Sequence, residues 1–211
     1  MGVNDVSERR FRHQIELALS KGFRFVQPSQ IALGNGRERD LAITFDDGRK
    51  SVATHAARIL AEYSIPWSLF IVTDWTNQIA PHYGSRIVTW KEVERLKADG
   101  VEIGSHSRTH PDFGKLDRRF LDEELAGSRR VFEQKLGFAP ISFAIPLGQS
   151  MNWTLDAAAA ANKAGYEIIY AQAEETRPPN TVPRTFVTNF DDSRVFNALL
   201  AGVFDRWEEW V

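Results

Sequence analysis

Leu41-Ala42-Ile43-Thr44-Phe45-Asp46-Asp47-Gly48 is the stretch on which the reading of this chain turns. Its first five residues form an apolar run of the length and composition of a buried strand, and the run ends abruptly in two carboxylates and a glycine. Beyond it, Val52, Ala56, Ile59, Leu60 and Tyr63 recur on one face of a helix over about 51–63. Trp67 to Val72 is a second apolar strand. Strand, helix and strand in immediate succession, with acids at the end of the first strand, point to a parallel α/β arrangement.

The pattern extends in both directions. Upstream, Phe11, Ile15 and Leu19 repeat every four residues in a helix over 7–21, capped by Ser7 and ended by Gly22; a short strand over 23–26 and a Gly34-Asn35-Gly36 turn follow. Downstream, 73–88 is irregular, 90–98 is a helix, and a strand over 101–104 delivers Ser105-His106. A helix over 117–136 places Phe120, Leu121, Leu125, Phe132 and Leu136 inward. Strands over 141–145, 166–170 and 184–188 alternate with helices over 154–164 and 193–206. No break in composition divides the chain, so residues 1–211 are expected to form one domain. The candidate chemical residues follow strand ends, the edge where both parallel barrels and doubly wound sheets build their sites. Periodicity does not separate those two architectures.

Composition removes several function classes. The formal net charge is −2 with both signs spread along the chain, which gives no electrostatic case for nucleic acid or an anionic membrane. No apolar run is long enough to span a bilayer. The absence of cysteine excludes disulfides, thiolate nucleophiles and Cys-ligated zinc. Residues 1–20 are polar and charged, without a signal peptide; the chain as read is expected in the cytoplasm, with export open if a leader lies upstream. Oligomeric state is not legible.

Two motifs carry chemistry. In a continuing strand, Asp46 and Asp47 would point to opposite sides, one toward a cation and the other toward a substrate, while Gly48 permits a sharp turn. His106-Ser107-Arg108-Thr109-His110 sets two imidazoles four apart, expected on one face of a helical turn and close enough to share a metal. Asp47, His106 and His110 would supply one oxygen and two nitrogens and leave positions open for water and substrate, which is the catalytic type of site. Asp46 would act as general base. That donor set suits zinc, and also cobalt or nickel.

Thr44 to Gly48 resembles the TFDDG motif of the polysaccharide deacetylases, the NodB-homology family or carbohydrate esterase family 4. Ser105 to His110 resembles their SH(S/T)xxH motif, and Phe143-Ala144-Ile145-Pro146-Leu147-Gly148 resembles the third motif in its FAYPYG-like form. The stretches 11–22 and 90–104, Gly165-Tyr166 and Pro183-Arg184 are similar to the surroundings of these motifs in the expected order. The resemblance implies a distorted (β/α) barrel that removes N-acetyl groups, usually from N-acetylglucosamine units, and releases acetate. It makes Asp46 the base, Asp47, His106 and His110 the metal ligands, and the Leu147 N–H a donor to the oxyanion. Pro146, Trp90 and His82 are assigned to substrate contact; Trp75, Tyr83 and Trp153 also belong to the expected rim.

The chain departs from the pattern in two places. Many members carry an arginine in the third motif that orients the catalytic aspartate, where this chain has Ala144; Arg184 is expected to supply that charge. Many members also have a late histidine as general acid, but none follows His110 here. His82, Asp191 and Asp192 are the candidates for that role. Two other readings stand beside deacetylation: hydrolysis of a different non-peptide amide at the same metal site, and a catalytically degenerate carbohydrate-binding relative. Intact Asp46 argues against the latter, because a binding module has no use for the base.

Overall fold

The computed structural model describes residues 6–79, 84–172 and 180–206. The chain opens with helix α1 (Glu8–Ser20), whose cap Ser7 accepts a hydrogen bond from Arg10 N at 3.3 Å. Strand β1 (Arg24–Phe25) follows, then a short helix α2 (Pro28–Ala32), which starts with proline in the first turn, where a missing N–H costs nothing. The apolar run of the opening motif is not one strand but two. Strand β2 (Asp40–Leu41) pairs with β1, and β3 (Ile43–Phe45) pairs in parallel with β4 (Trp67–Ile71). The chain thus crosses from one small sheet to the main one at Ala42.

The helix between β3 and β4 begins as a π-helical turn over Val52–Ala56 and continues as α3 (Ala57–Glu62). After β4 comes a one-turn helix α4 (Thr73–Thr76) in the region expected to be irregular. Helix α5 (Trp90–Ala98) is fixed by a capping box between Thr89 and Glu92. Strand β5 (Glu102–Ser105) leads to α6 (Leu121–Leu136), β6 (Ser142–Ala144), α7 (Leu155–Ala164), β7 (Ile168–Ala171), β8 (Val182–Pro183) and α8 (Ser193–Leu200). The last strand lies just before the expected 184–188, which is not a strand, and the last helix ends short of 206. Phe120, expected inward, is exposed, because a 3-10 turn over Arg118–Phe120 precedes α6 and shifts the phase of the helix.

Strands β3 to β8 form one six-stranded, wholly parallel sheet in sequential order. Helices cover its outer face. Ile59, Leu60, Leu69, Ile71 and Phe132 belong to one outer cluster, and Phe113, Leu125, Phe143 and Trp153 to another. The concave side is lined by Phe70, Ala144, Ile168 and Tyr170. β4 is buried at every position, as expected for a strand covered on both faces. The sheet is curled without closing, so the architecture is the half-barrel form of the expected distorted (β/α) barrel. A Cβ at Gly104 on β5 would lie 2.4 Å from two atoms of the Phe70 ring, so the glycine lets that ring pack directly on the strand.

Candidate metal and catalytic centre

The chemical residues gather where β3, β5, β6 and β8 end. At β3 the backbone stops being a strand immediately after Phe45: Asp47 takes φ 69° and Gly48 φ 70°. This overturns the expectation that the two carboxylates diverge. The left-handed turn brings both onto one side, with Asp46 Oδ2 3.9 Å and Asp47 Oδ1 3.7 Å from His106 Nε2. The Asp47 conformation is unfavourable for a side-chain-bearing residue outside asparagine and aspartate, and aspartate is among the residues that tolerate it. A Cβ at Gly48 would press on Ile71 and Val88, at 3.1 and 3.3 Å.

His106 and His110 do share one site, but not on a helical turn. Residues 106–110 are a loop in which Ser107 and His110 both adopt positive φ, 69° and 67°. His110 N donates to Ser107 Oγ at 2.9 Å, which closes the loop on itself. Its backbone is pinned to the end of β4 and the start of α4 through His106 N to Ile71 O, Thr73 N to Ser107 O, and Asp74 N to Arg108 O, at 2.9, 3.2 and 3.0 Å.

Asp47, His106 and His110 offer one oxygen and two nitrogens that all lie within 4.8 Å of one another. Asp47 Oδ1 is 3.7 Å from His106 Nε2 and 3.6 Å from His110 Nε2. Ligands bound to a tetrahedral zinc-sized ion at its usual bond lengths lie about 3.4 Å apart, so the two Asp47–histidine spacings are near those of such an ion. His106, 2% exposed, sets its Nδ1 2.8 Å from Ala144 O. A carbonyl only accepts, so Nδ1 carries a proton there, and Nε2 is the nitrogen turned toward Asp47. Burial and the neighbouring His106 push the His110 pKa down to about 4, against the pull of Asp47 and Asp46, and so hold it in the neutral form a ligand requires. The indole of Trp75 stacks on the His110 ring, with centroids 5.1 Å apart.

Asp46 stands against a fork of donors. Arg184 Nη1 and Nη2 reach its two oxygens at 2.7 and 2.8 Å, and Nη1 also reaches Thr44 Oγ1 at 3.1 Å. The guanidinium rests on the aromatic floor of the half-barrel, 5.5 Å from the Phe70 centroid and 5.6 Å from that of Tyr170. Burial raises the Asp46 pKa, but the Arg184 charge and its hydrogen bonds lead the effects that outweigh it, and the carboxyl lies below the usual carboxylate range. Asp46 is therefore ionised at neutral pH.

The other sequence-assigned residues are placed as follows. Leu147 has φ 67° and an exposed side chain between buried Pro146 and Gly148. Trp90 is engaged in the core, edge-on to Phe132 and donating to Asn77 Oδ1 at 2.7 Å; the aromatic on the metal group is Trp75 instead. Trp153 is likewise buried, between Phe113 and Phe143. Asp192 caps α8, accepting from Arg194 N and Val195 N at 2.7 and 3.0 Å, and those contacts lower its pKa, the opposite of what a general acid needs. Asp191 accepts from Thr188 N and, with Asp192, lines a groove of about 410 Å³ between α1 and α8. His82 and Tyr83 lie outside the described residues. Sequence reasoning missed Arg49, whose Nε lies 3.2 Å from Asp47 Oδ2, the oxygen turned away from the histidines. Its position directly after the Asp-Asp-Gly turn was the only available signal.

The family model for polysaccharide deacetylases matches residues 34–169. A chitooligosaccharide deacetylase from Bradyrhizobium sp. (strain ANU 289) is 27% identical over 135 residues, covering 63% of this chain and 55% of that protein. YxkH of Bacillus subtilis, a putative polysaccharide deacetylase, is 22% identical over 168 residues, covering 77% of this chain and 57% of its own length. The chain thus spans little more than half of each of these curated relatives. Among solved structures, the deacetylase PplD of Streptococcus pyogenes in complex with acetate superposes with a TM-score of 0.80 at 18% identity, covering 95% of this chain and 88% of that one. IcaB from Ammonifex degensii gives 0.73 at 22% identity, covering 92% and 88%. The half-barrel is the fold of these structures, and the family match extends across all three sequence motifs from Thr44 to Gly148; the chain belongs to the polysaccharide deacetylase family.

Proposed function

We propose that this protein hydrolyses the N-acetyl groups of N-acetylglucosamine-containing poly- or oligosaccharides and releases acetate, with a divalent metal, zinc by preference, held by Asp47, His106 and His110. The observation that carries the reading is the pairing of an arginine-held, ionised Asp46 with a three-ligand group under 4 Å away. A metal alone would serve a binding module; the charged, oriented base beside it serves a reaction. A divalent ion at this group supplies Lewis acidity toward the acetyl carbonyl and toward water.

The chain's own residues then divide the work. Asp46 accepts the proton of the attacking water as the water oxygen bonds to the acetyl carbon. Arg184 holds that carboxylate in one orientation through both oxygens. The Leu147 N–H, presented by a left-handed backbone at the end of the third motif, is assigned to the oxygen that gains charge. When the carbon–nitrogen bond breaks, the leaving amine takes up a proton, and the proton on Asp46 is available for it. The products are acetate and a free amino sugar unit. Pro146 and Trp75 are assigned to the wall against which the acetyl group sits.

The test is acetate release from N-acetylglucosamine oligomers by metal-loaded protein, with Asp46→Asn as the control. Release that disappears in the variant while metal binding survives supports the reading. A metal-loaded wild type that releases no acetate from any N-acetylated glycan defeats it.

A further inference from the structure

The loop carrying both histidines has no strand or helix of its own to hold it, and it contains two residues in the left-handed region, where side chains are disfavoured. A second element supplies the restraint. Glu124 and Ser128, one turn apart on α6, face the loop. Glu124 is 7% exposed, and its carboxylate binds two of the three residues between the histidines, Arg108 and Thr109. Oε2 accepts from Arg108 N at 3.0 Å and Thr109 N at 2.9 Å, and Oε1 accepts from Thr109 Oγ1 at 2.7 Å. Ser128, fully buried, contacts Ser105 Oγ at 2.7 Å and donates to Ser107 O at 3.3 Å. Neither residue belongs to a sequence motif of the site.

We infer that Glu124 is a positioning residue for the metal, fixing the Arg108–Thr109 backbone so that His110 meets His106 and Asp47 at ligand spacing. The inference rests on the reading that those three residues hold a metal. A buried carboxylate with three donors from one short loop fixes the backbone of that loop through charge-assisted hydrogen bonds. Partners that orient metal ligands in this way govern affinity as well as stability.

The probe is Co²⁺ bound to the whole chain, followed by its visible absorption and by competition with a chelator. Glu124→Ala is expected to weaken Co²⁺ binding by about tenfold or more and to alter the absorption bands. Glu124→Gln keeps an oxygen for the two N–H groups and offers its amide to the Thr109 hydroxyl, so it should stay within about threefold of wild type. Phe132→Leu, two turns further along α6 in the core, is the control; it should lower Tm and leave Co²⁺ affinity unchanged. Unchanged affinity in Glu124→Ala would overturn the inference, as would an equal loss in Phe132→Leu. If Glu124→Ala does not fold, Thr109→Val takes its place: a severalfold loss of affinity supports the inference, and none overturns it. A wild type that binds no Co²⁺ would instead remove the metal-site reading, and this inference with it.

Discussion

Replacing Arg184 by alanine tests the proposed base, Asp46, apart from the proposed metal group. The guanidinium makes a two-pronged contact with Asp46 at 2.7 and 2.8 Å, with the two side chains 16% and 32% exposed. Unit charges about 4 Å apart attract by about 4 kcal/mol at an effective dielectric constant near 20. Partial exposure screens some of this, leaving on the order of 2–3 kcal/mol. Removing it acts in a definite direction: Asp46 loses its counter-charge while keeping its burial, so its pKa rises. A base works when ionised, so activity is present above its pKa and is lost as pH falls through it. The acid limb of the kcat/KM profile for acetate release should therefore move upward in Arg184→Ala. At pH values below the new limb, kcat/KM should drop by about 30- to 150-fold. Above it the loss should shrink to the part due to orientation. Arg184→Lys restores the charge without the fork and should fall between the two. An Arg184→Ala protein that is folded, turns over within threefold of wild type across the profile, and keeps its acid limb in place would refute the assignment.

Three further outcomes follow from the same geometry. Stripping the protein with a chelator should abolish acetate release, and Zn²⁺ or Co²⁺ should restore it; His106→Ala should lose metal affinity by more than His110→Ala, because His106 is the more buried and Ala144 O fixes its free nitrogen, as isothermal titration would show. Gly104→Ala should lower stability by about 1–3 kcal/mol in urea unfolding, since the added methyl meets the fully buried Phe70 ring; unchanged stability would mean that the ring can shift to accept it. Burial works against the Asp112 charge, but Asn152, Gly114 N and Lys115 hold its pKa below the ordinary carboxylate value. Its contribution to stability is present above the unfolded pKa near 3.9 and lost as pH falls through the lower folded value, so Asp112→Ala should cost stability at neutral pH and cost less in acid, read from Tm against pH.

Much of the fold was written in alternation. The strands at Trp67–Ile71 and Glu102–Ser105 and the capped helices at Glu8–Ser20 and Trp90–Ala98 stand within a residue or so of where apolar runs, periodicity and end signals place them. What periodicity could not supply was the phase of chain that changes partners. Leu41 and Ile43 belong to different sheets, although the run between them is uniformly apolar, because hydrophobicity records burial and not which neighbour does the burying. Phe120 failed for a related reason: it is apolar at helical spacing, but it sits in a 3-10 turn whose tighter winding rotates it outward. The terminal strand was misplaced by a few residues because Pro183 ends the ladder, and Arg184 continues it by a single bond to Ala171 O.

At the site, residue types were legible and backbone geometry was not. Two aspartates and two histidines at fixed spacing announce a metal, yet both expected geometries were regular, a strand for Asp46-Asp47 and a helical turn for His106–His110, and both are left-handed turns. The reason is physical. Regular structure sends side chains away from one another at set angles, whereas converging three ligands and a base on one point requires the backbone to leave its favoured wells. That departure costs energy, which must be offset elsewhere by groups distant in sequence: Arg184, 138 residues from Asp46, and Glu124, 15 residues beyond Thr109. A motif therefore reports which atoms do the chemistry, while the residues that make the motif's geometry affordable lie outside it and become visible only when the chain is folded.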